Sequence, residues 1–341
     1  MPEPLANLNE IRAVMAQLPG PDLKAGAAAA SREQDVTKPQ GALGRLEELV
    51  AWLAAWQGRW PTINHPRTVV FAANHGVAAR FASDDAAAVT AQMVQTCIAG
   101  GAAVNQFCKL VDADLRVYEM NLGVATADIV DAPAMTDEEC ACAIAYGMMA
   151  VEPGVDALAI GAMGHANTTV AAALCMGLFG ADPAAWTGSA NGVAGAVLEQ
   201  ERDVVALAVA RHQAAASDPL DLLRRLGGIE FAAMVGAILA ARMARVPVVL
   251  DGFCAGAAAA VLHAADPRAV AHCVAGHVSA ETGHRRLLNE IGKPPLLDLG
   301  IQLGEASGAT LALGVLKAAI ACHIGIGSFA EAGVSGPALT A

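Results

Sequence analysis

Apolar positions at the start of the chain recur at helical spacing. Leu43, Leu46, Leu49, Val50 and Leu53 share one stripe, which predicts a helix over 43–56, and another is expected over 8–18. From Thr68 onward the pattern changes to a short apolar run, a Gly-containing polar turn and an Ala-rich helical stretch. Five segments obey it: VVFAANHG ending at Gly76, LRVYEMNLG at Gly123, ALAIGAMGHANTT at Thr169, VPVVLDGFCAG at Gly256 and AHCVAGHVSAE at Glu281. Between them, 182–191 reads as loop and 192–212 as a long helix. Asp218 and Pro219 read as N-cap and first residue of a short helix through Leu226, stopped by Gly227 and Gly228.

Strand, turn and helix in alternation predict an α/β fold, a doubly wound parallel sheet with helices on both faces. Such a sheet binds ligands in the crevice at the carboxyl ends of its strands. Those ends carry Asn74, His75, Glu119, Asn121, His165, Asn167, Asp251, His277 and Glu281. No internal repeat and no linker mark a domain boundary, the Ala27 to Ala30 run being the only low-complexity stretch.

Composition narrows the function classes. Hydrophobic residues make up 55% and aromatics only 4%, which suits small-residue helices packed closely over a buried sheet. A formal net charge of -12, with no run of Lys or Arg, argues against nucleic acid and anionic membranes as partners. The longest apolar runs are broken by Arg242, Asp251, Asp266 and Lys317, so no membrane span is expected. The N-terminus has neither the basic start nor the apolar stretch of a signal peptide, and a soluble cytoplasmic protein is the expectation. Eight cysteines without CxxC spacing read as reduced small hydrophobes.

Several segments carry candidate chemistry. In GAMGHANTT, the amides freed by Gly161 and Gly164, with Asn167, Thr168 and Thr169, suit a phosphate, or else form a Thr-capped turn. A second polar turn, TGSANG over 187–192, brings Gly188, Ser189 and Asn191 to another helix start. Glu305, flanked by Leu303 and Gly304, is either a partly desolvated base or a carboxylate favouring a helix N-terminus. His75 in ANHGV is a base or donor, or a residue satisfying its own turn. His272, His277, Glu281 and His284 form the most metal-like cluster, but their spacing fits no standard signature, and neither a metal nor a cofactor is expected.

Taken together, the motifs resemble the nicotinate-nucleotide:dimethylbenzimidazole phosphoribosyltransferases of cobamide synthesis, nearly end to end. The likeness is carried by TKPQGALGRLEE from Thr37, ANHGV from Ala73, VTAQMV from Val89 and GGAAVNQ from Gly100. It continues through GAMGHANTT, DPLDLLRRLGG from Asp218, AAMVGAILAA from Ala232, VVLDGF from Val248, GHVSAETGHR from Gly276 and KPPLLDLGIQLGEASGATLAL from Lys293.

The resemblance implies a Rossmann-like domain over 67–304 and a smaller helical domain from both chain ends, 1–66 and 305–341, in a homodimer. It implies transfer of ribose 5′-phosphate from nicotinate mononucleotide to a benzimidazole, with Glu305 as general base. The implied substrate contacts are Asn74, His75, Met93, Gly164, His165, Asn167, Thr168, Gly188, Ser189, Asn191, Asp251 and Leu303.

The chain also departs from the family pattern. Members usually read GEMGIGNTT where this chain has GAMGHANTT, so Ala162 replaces a carboxylate and His165 and Ala166 replace an apolar residue and a glycine. The usual GPGTG becomes GSANG, and the proline before VTAQMV is missing from FASDDAAAVT. A Cβ at Ala166 and at Ala190 is expected to penalise a positive φ and close backbone approach to phosphate, by on the order of 1 kcal/mol at each position that needs them. These changes motivate an alternative, a catalytically impaired or respecialised paralogue that binds a cobamide precursor or partner.

Overall fold

The computed structural model describes residues 7–81, 86–188 and 194–335. Among these, six strands form one wholly parallel sheet: β1 (Pro66–Ala72), β2 (Asp114–Glu119), β3 (Ala157–Met163), β4 (Val248–Leu250), β5 (Cys273–His277) and β6 (Pro295–Leu297). Their order is β2-β1-β3-β4-β5-β6. The sheet is flanked by helices in a Rossmann-like doubly wound arrangement. Every residue of β1 and β3 is buried, Arg67 and Thr68 at the start of β1 included, whereas β2 at the edge exposes Asp114, Arg116 and Glu119. Beyond the five expected strands, Pro295–Leu297 adds a sixth, too short and proline-led to read as a strand in sequence.

Before the sheet come α1 (Leu8–Met15), α2 (Leu23–Asp35) and α3 (Arg45–Gln57). The helix α2 contains the Ala27 to Ala30 run, and its Asp22 N-cap accepts from the Lys24 and Ala25 amides. Between the strands run α4 (Ala86–Ile98), α5 (Ala103–Val111), α6 (Asp137–Met148), α7 (Asn167–Phe179), α8 (Ala196–His212), α9 (Pro219–Leu226), α10 (Ile229–Met243), α11 (Gly252–Ala265) and α12 (Thr282–Glu290). The chain ends with α13 (Ser307–Gly325) and the short α14 (Phe329–Ala332). As expected, Asp218 caps α9 and Pro219 starts it.

Small residues set the layer spacing. A Cβ on Gly147 of α6 would lie 2.6 Å from the Cα of Ala233, and one on Gly236 of α10 would lie 2.8 Å from the carbonyl carbon of Ile144. Those two helices therefore touch backbone to backbone on one face of the sheet. The other face is covered by α13, which packs on β3 to β6 and on α3 and α5. Thr310 of α13 is fully buried, donating to Ala306 O at 2.7 Å and lying 2.9 Å from the Thr68 hydroxyl of β1.

Both chain ends meet in the layer formed by α2, α3 and α13. Val36 bridges Ser328, and Arg32 donates to Ile326 O at 2.9 Å. Lys38 Nζ lies 2.7 Å from Glu47 and 3.1 Å from Glu33, and His323 Nδ1 lies 2.5 Å from Glu33. Burial lowers the Lys38 pKa, but hydrogen bonds to Glu47 and Glu33 outweigh it and leave the ammonium group above its ordinary value. The helix α1 lies apart from this layer, with Leu8 and Ile11 in the main core and Arg12 paired to Asp218 at 2.6 Å.

Two stretches, Ala87–Val111 and Ser307–Gly325, are apolar and long enough by composition to cross a membrane, against the expectation that single charges exclude any such span. The first is two helices, α4 and α5, separated at 99–102. The second is α13, with half of its most apolar window buried inside the protein. Six of the eight cysteines are buried, and all eight are free thiols.

Candidate functional site

At β1 and β3 the chain leaves the sheet in opposite directions, since β2 lies outside β1 and β4 lies beyond β3. This switch point opens a crevice above the carboxyl ends of the strands. Two backbone turns of unusual conformation flank it. The first follows β3: Gly164 and His165 lead to Ala166, held at φ 62°, and α7 starts at Asn167 with no side chain capping its amides. The left-handed region costs a Cβ-bearing residue on the order of 1–2 kcal/mol, so this turn is strained at the position foreseen in the sequence.

The second turn precedes α13, where Glu305 and Ala306 both adopt positive φ, 65° and 61°. It is pinned to β3, because Glu305 N donates to Ala162 O at 3.3 Å. A Cβ on Gly161 would lie 2.6 Å from Ala306 Cα, so only glycine lets the turn seat against the strand. The Glu305 carboxylate is thereby held over the end of β3 at 6% exposure. Burial, reinforced by the nearby charge of Asp251, raises its pKa above the ordinary carboxylate value.

Asp251 ends β4 and is itself buried. Its Oδ1 accepts from the Ala309 amide at 2.8 Å and lies 3.3 Å from His277 Nε2, so one carboxylate joins β4, β5 and the start of α13. His284 of α12 accepts at Nδ1 from the Ser279 amide, 2.8 Å away, which leaves its proton on Nε2. Burial, followed by the charges of His277 and Arg285, lowers the His284 pKa to about 3.

These elements enclose a cavity of about 510 Å³. Of the residues expected from sequence, Met93, Gly164, His165, Asn167, Thr168, Asp251, Leu303 and Glu305 all line it. Burial and then the charge of His75 lower the His165 pKa, so the imidazole on the wall is biased toward its neutral form.

The structure places Asn74, His75 and Gly188 away from that wall. Asn74 donates to Leu122 O at 2.7 Å, bracing the β1 and β2 turns. The His75 side chain is wholly buried 2.7 Å from Glu230, beneath the Gly164 turn. Gly188 abuts Thr282, where a Cβ would lie 2.5 Å from the threonine Cβ. Ser189, Ala190 and Asn191 lie outside the described residues.

Several lining residues are not singled out by sequence as substrate contacts: Val89, Thr90, Met163, Phe253, Cys254, Ser279 and Gln302. The strand-end rule could have found Ser279, two residues past β5. His277 and Glu281, weighed in the sequence as metal ligands, line the cavity too. The metal-like cluster disperses, since His272 turns into the core to Ile238 O at 3.0 Å and His284 turns to Ser279. Among the described residues no group of three or more His, Cys, Asp or Glu is placed to hold a metal ion. Sequence reading also passes over Glu201 of α8, which accepts from Thr169 Oγ1 at 2.8 Å beside the first turn of α7. Burial raises the Glu201 pKa, against the hydrogen bond from Thr169.

The profile of a family described as Phosphoribosyltransferase matches residues 18–334. The nicotinate-nucleotide–dimethylbenzimidazole phosphoribosyltransferase of Brucella anthropi is 52% identical over 329 residues, covering 96% of this chain and 97% of that protein. The chain belongs to the nicotinate-nucleotide–dimethylbenzimidazole phosphoribosyltransferase family. The same family's protein from Sinorhizobium medicae is 52% identical over 327 residues, with 96% and 97% coverage. The family fold extends to solved structures: the crystal structure of CobT from Thermus thermophilus superposes with a TM-score of 0.85 at 40% identity, covering 92% of this chain and 99% of that one.

Proposed function

We propose that this chain transfers the ribose 5′-phosphate of nicotinate mononucleotide to 5,6-dimethylbenzimidazole or a related base, releasing nicotinate and forming α-ribazole 5′-phosphate. The observation that carries the proposal is the buried Glu305 carboxylate, held by a strained turn on the cavity wall with its pKa raised. A carboxylate shifted in that direction is a better proton acceptor near neutral pH. It takes the proton from one benzimidazole nitrogen while the other attacks C1′. Nicotinate leaves as a neutral ring, so the protein's main task is to align two flat rings and a ribose.

Met93, Leu303, Phe253 and Met163 offer apolar surface for those rings. Asn167, Thr168 and Gly164 bring the start of α7 to the donor. Asp251 acts through others, raising the pKa of Glu305 and fixing the first turn of α13. We read the chain as a soluble cytoplasmic homodimer needing no cofactor, with the segments expected over 1–66 and 305–341 as the smaller domain except for α1, which packs on the main core.

Incubating the protein with both substrates and following nicotinate by chromatography tests the reading. Release should require the base and should fall by about 10³-fold or more in Glu305→Gln. Undiminished release by folded Glu305→Gln would remove Glu305 from the role of base. A second reading, a respecialised or impaired paralogue, is favoured by the Ala162 methyl on the cavity wall where relatives usually carry a carboxylate. Absence of release, with restoration by Ala162→Glu together with the family's GPGTG loop, would favour it.

A further inference from the structure

The cavity is poor in positive charge. Asp251, Glu281 and Glu305 place three carboxylates on its wall, and among the described residues lining it there is no lysine or arginine. For a donor phosphate this leaves chiefly the start of α7, where the amides are uncapped.

That helix end already has a carboxylate beside it. Thr169, the third residue of α7, donates its hydroxyl to Glu201 at 2.8 Å, so the protein's own acid answers the helix dipole from α8. The Ala166 methyl stands at the cap position in a left-handed conformation, where close backbone approach to a phosphate favours glycine. A like charge roughly 6 Å from Glu201, at an effective dielectric near 20, loses on the order of a hundredfold in affinity per unit charge. The donor's pyridinium ring carries the opposite sign and suits a wall of carboxylates.

Resting on the transferase reading above, we propose that the site also accepts the unphosphorylated nucleoside, nicotinate riboside, as ribosyl donor, with kcat/KM within about tenfold of that for the mononucleotide. The bond formed joins a benzimidazole nitrogen to C1′. The bond broken joins C1′ to the pyridinium nitrogen, whose ring takes back the electron pair as neutral nicotinate nitrogen. The proton of the second benzimidazole nitrogen passes to Glu305, and the product is the unphosphorylated α-riboside. The 5′ substituent takes no part in the exchange.

The test is steady-state kinetics of the full chain with saturating 5,6-dimethylbenzimidazole and either nicotinate riboside or nicotinate mononucleotide, read as nicotinate release. Comparable kcat/KM for the two donors is expected. The Glu201→Gln variant keeps an acceptor for Thr169 without the charge, and it should move the preference toward the mononucleotide by about tenfold or more. Riboside turnover a hundredfold or more below that of the mononucleotide, or an unchanged preference in Glu201→Gln, overturns the proposal and leaves the transferase reading standing. Release from neither donor by folded protein overturns both.

Discussion

Lowering the pH from 7 to 5 should destabilise the protein through two histidines buried in neutral form. His272 donates to Ile238 O and is 1% exposed, and burial, followed by the charge of Arg242, lowers its pKa to about 3. His284, also 1% exposed, is lowered to about 3 by burial and by His277. In the unfolded chain both titrate near 6.5. A depressed folded pKa means that the unfolded state binds the extra proton first. The stabilisation is therefore complete above pH 6.5 and is lost as pH falls from there toward 3.

At pH 5 each histidine forfeits about 2 kcal/mol, or about 4 kcal/mol together, a large part of a typical 5–15 kcal/mol. His165, His212 and His263 are lowered too and act in the same direction. Glu201 and Glu305, whose pKa values are raised, act against it. Salt-bridged carboxylates such as Glu47, Asp218 and Asp221 have lowered pKa values and lose their contribution only at lower pH. Urea denaturation at pH 7, 6 and 5 should show the midpoint falling by on the order of 1 M. The variant His272→Gln, which keeps a donor for Ile238, should lose about half of that dependence. A midpoint unchanged between pH 7 and 5, or an undiminished slope in His272→Gln, would refute the reasoning.

Other consequences concern the two strained turns and the network between the chain ends. Gly161→Ala should displace the Glu305 turn and lower kcat by about 100-fold; unchanged turnover would show that the turn tolerates the shift. Ala166→Gly should stabilise the chain by about 1 kcal/mol, seen as a melting temperature higher by roughly one to two degrees, and a lower one would contradict the strain assigned there. Lys38→Met leaves the buried Glu33 and the partly buried Glu47 without their shared cation and should cost about 3–5 kcal/mol by chemical denaturation, whereas a near-neutral change would mean the network relaxes.

The sheet was legible where both faces of a strand are buried, because β1, β3 and β5 then read as continuous apolar runs between polar turns. The edge strand β6 was not, since three residues after a proline carry no pattern. The helix α2 was hidden in the opposite sense: its Ala-rich run has no strong apolar stripe, and the one signal that could have found it, the Asp22 cap, was passed over. At the site, strand ends and family motifs led to Glu305, Asp251 and the Gly164–Thr168 turn. They could not tell a residue beneath the cavity floor from one on its wall. His75 sits below because Glu230, 155 residues further along the chain, is buried opposite it, and such a pairing has no local mark in sequence. The contact between Thr169 and Glu201 depends likewise on how α8 crosses α7.

The changed and unchanged parts of the site rest on different supports. Glu305 is positioned by backbone: its amide reaches the Ala162 carbonyl, its neighbour Ala306 lies on Gly161, and Asp251 holds the next turn through the Ala309 amide. None of these contacts uses the Ala162 side chain, which lines the cavity. Replacing a larger residue there alters the wall without loosening the Glu305 turn. Ala166 belongs to the α7 turn, whose strain is local and separate from the α13 turn. A chain built this way can change the wall of its cavity while keeping the Glu305 carboxylate in place, so on the transferase mechanism proposed above the departures from the family pattern bear first on substrate choice and only then on chemistry.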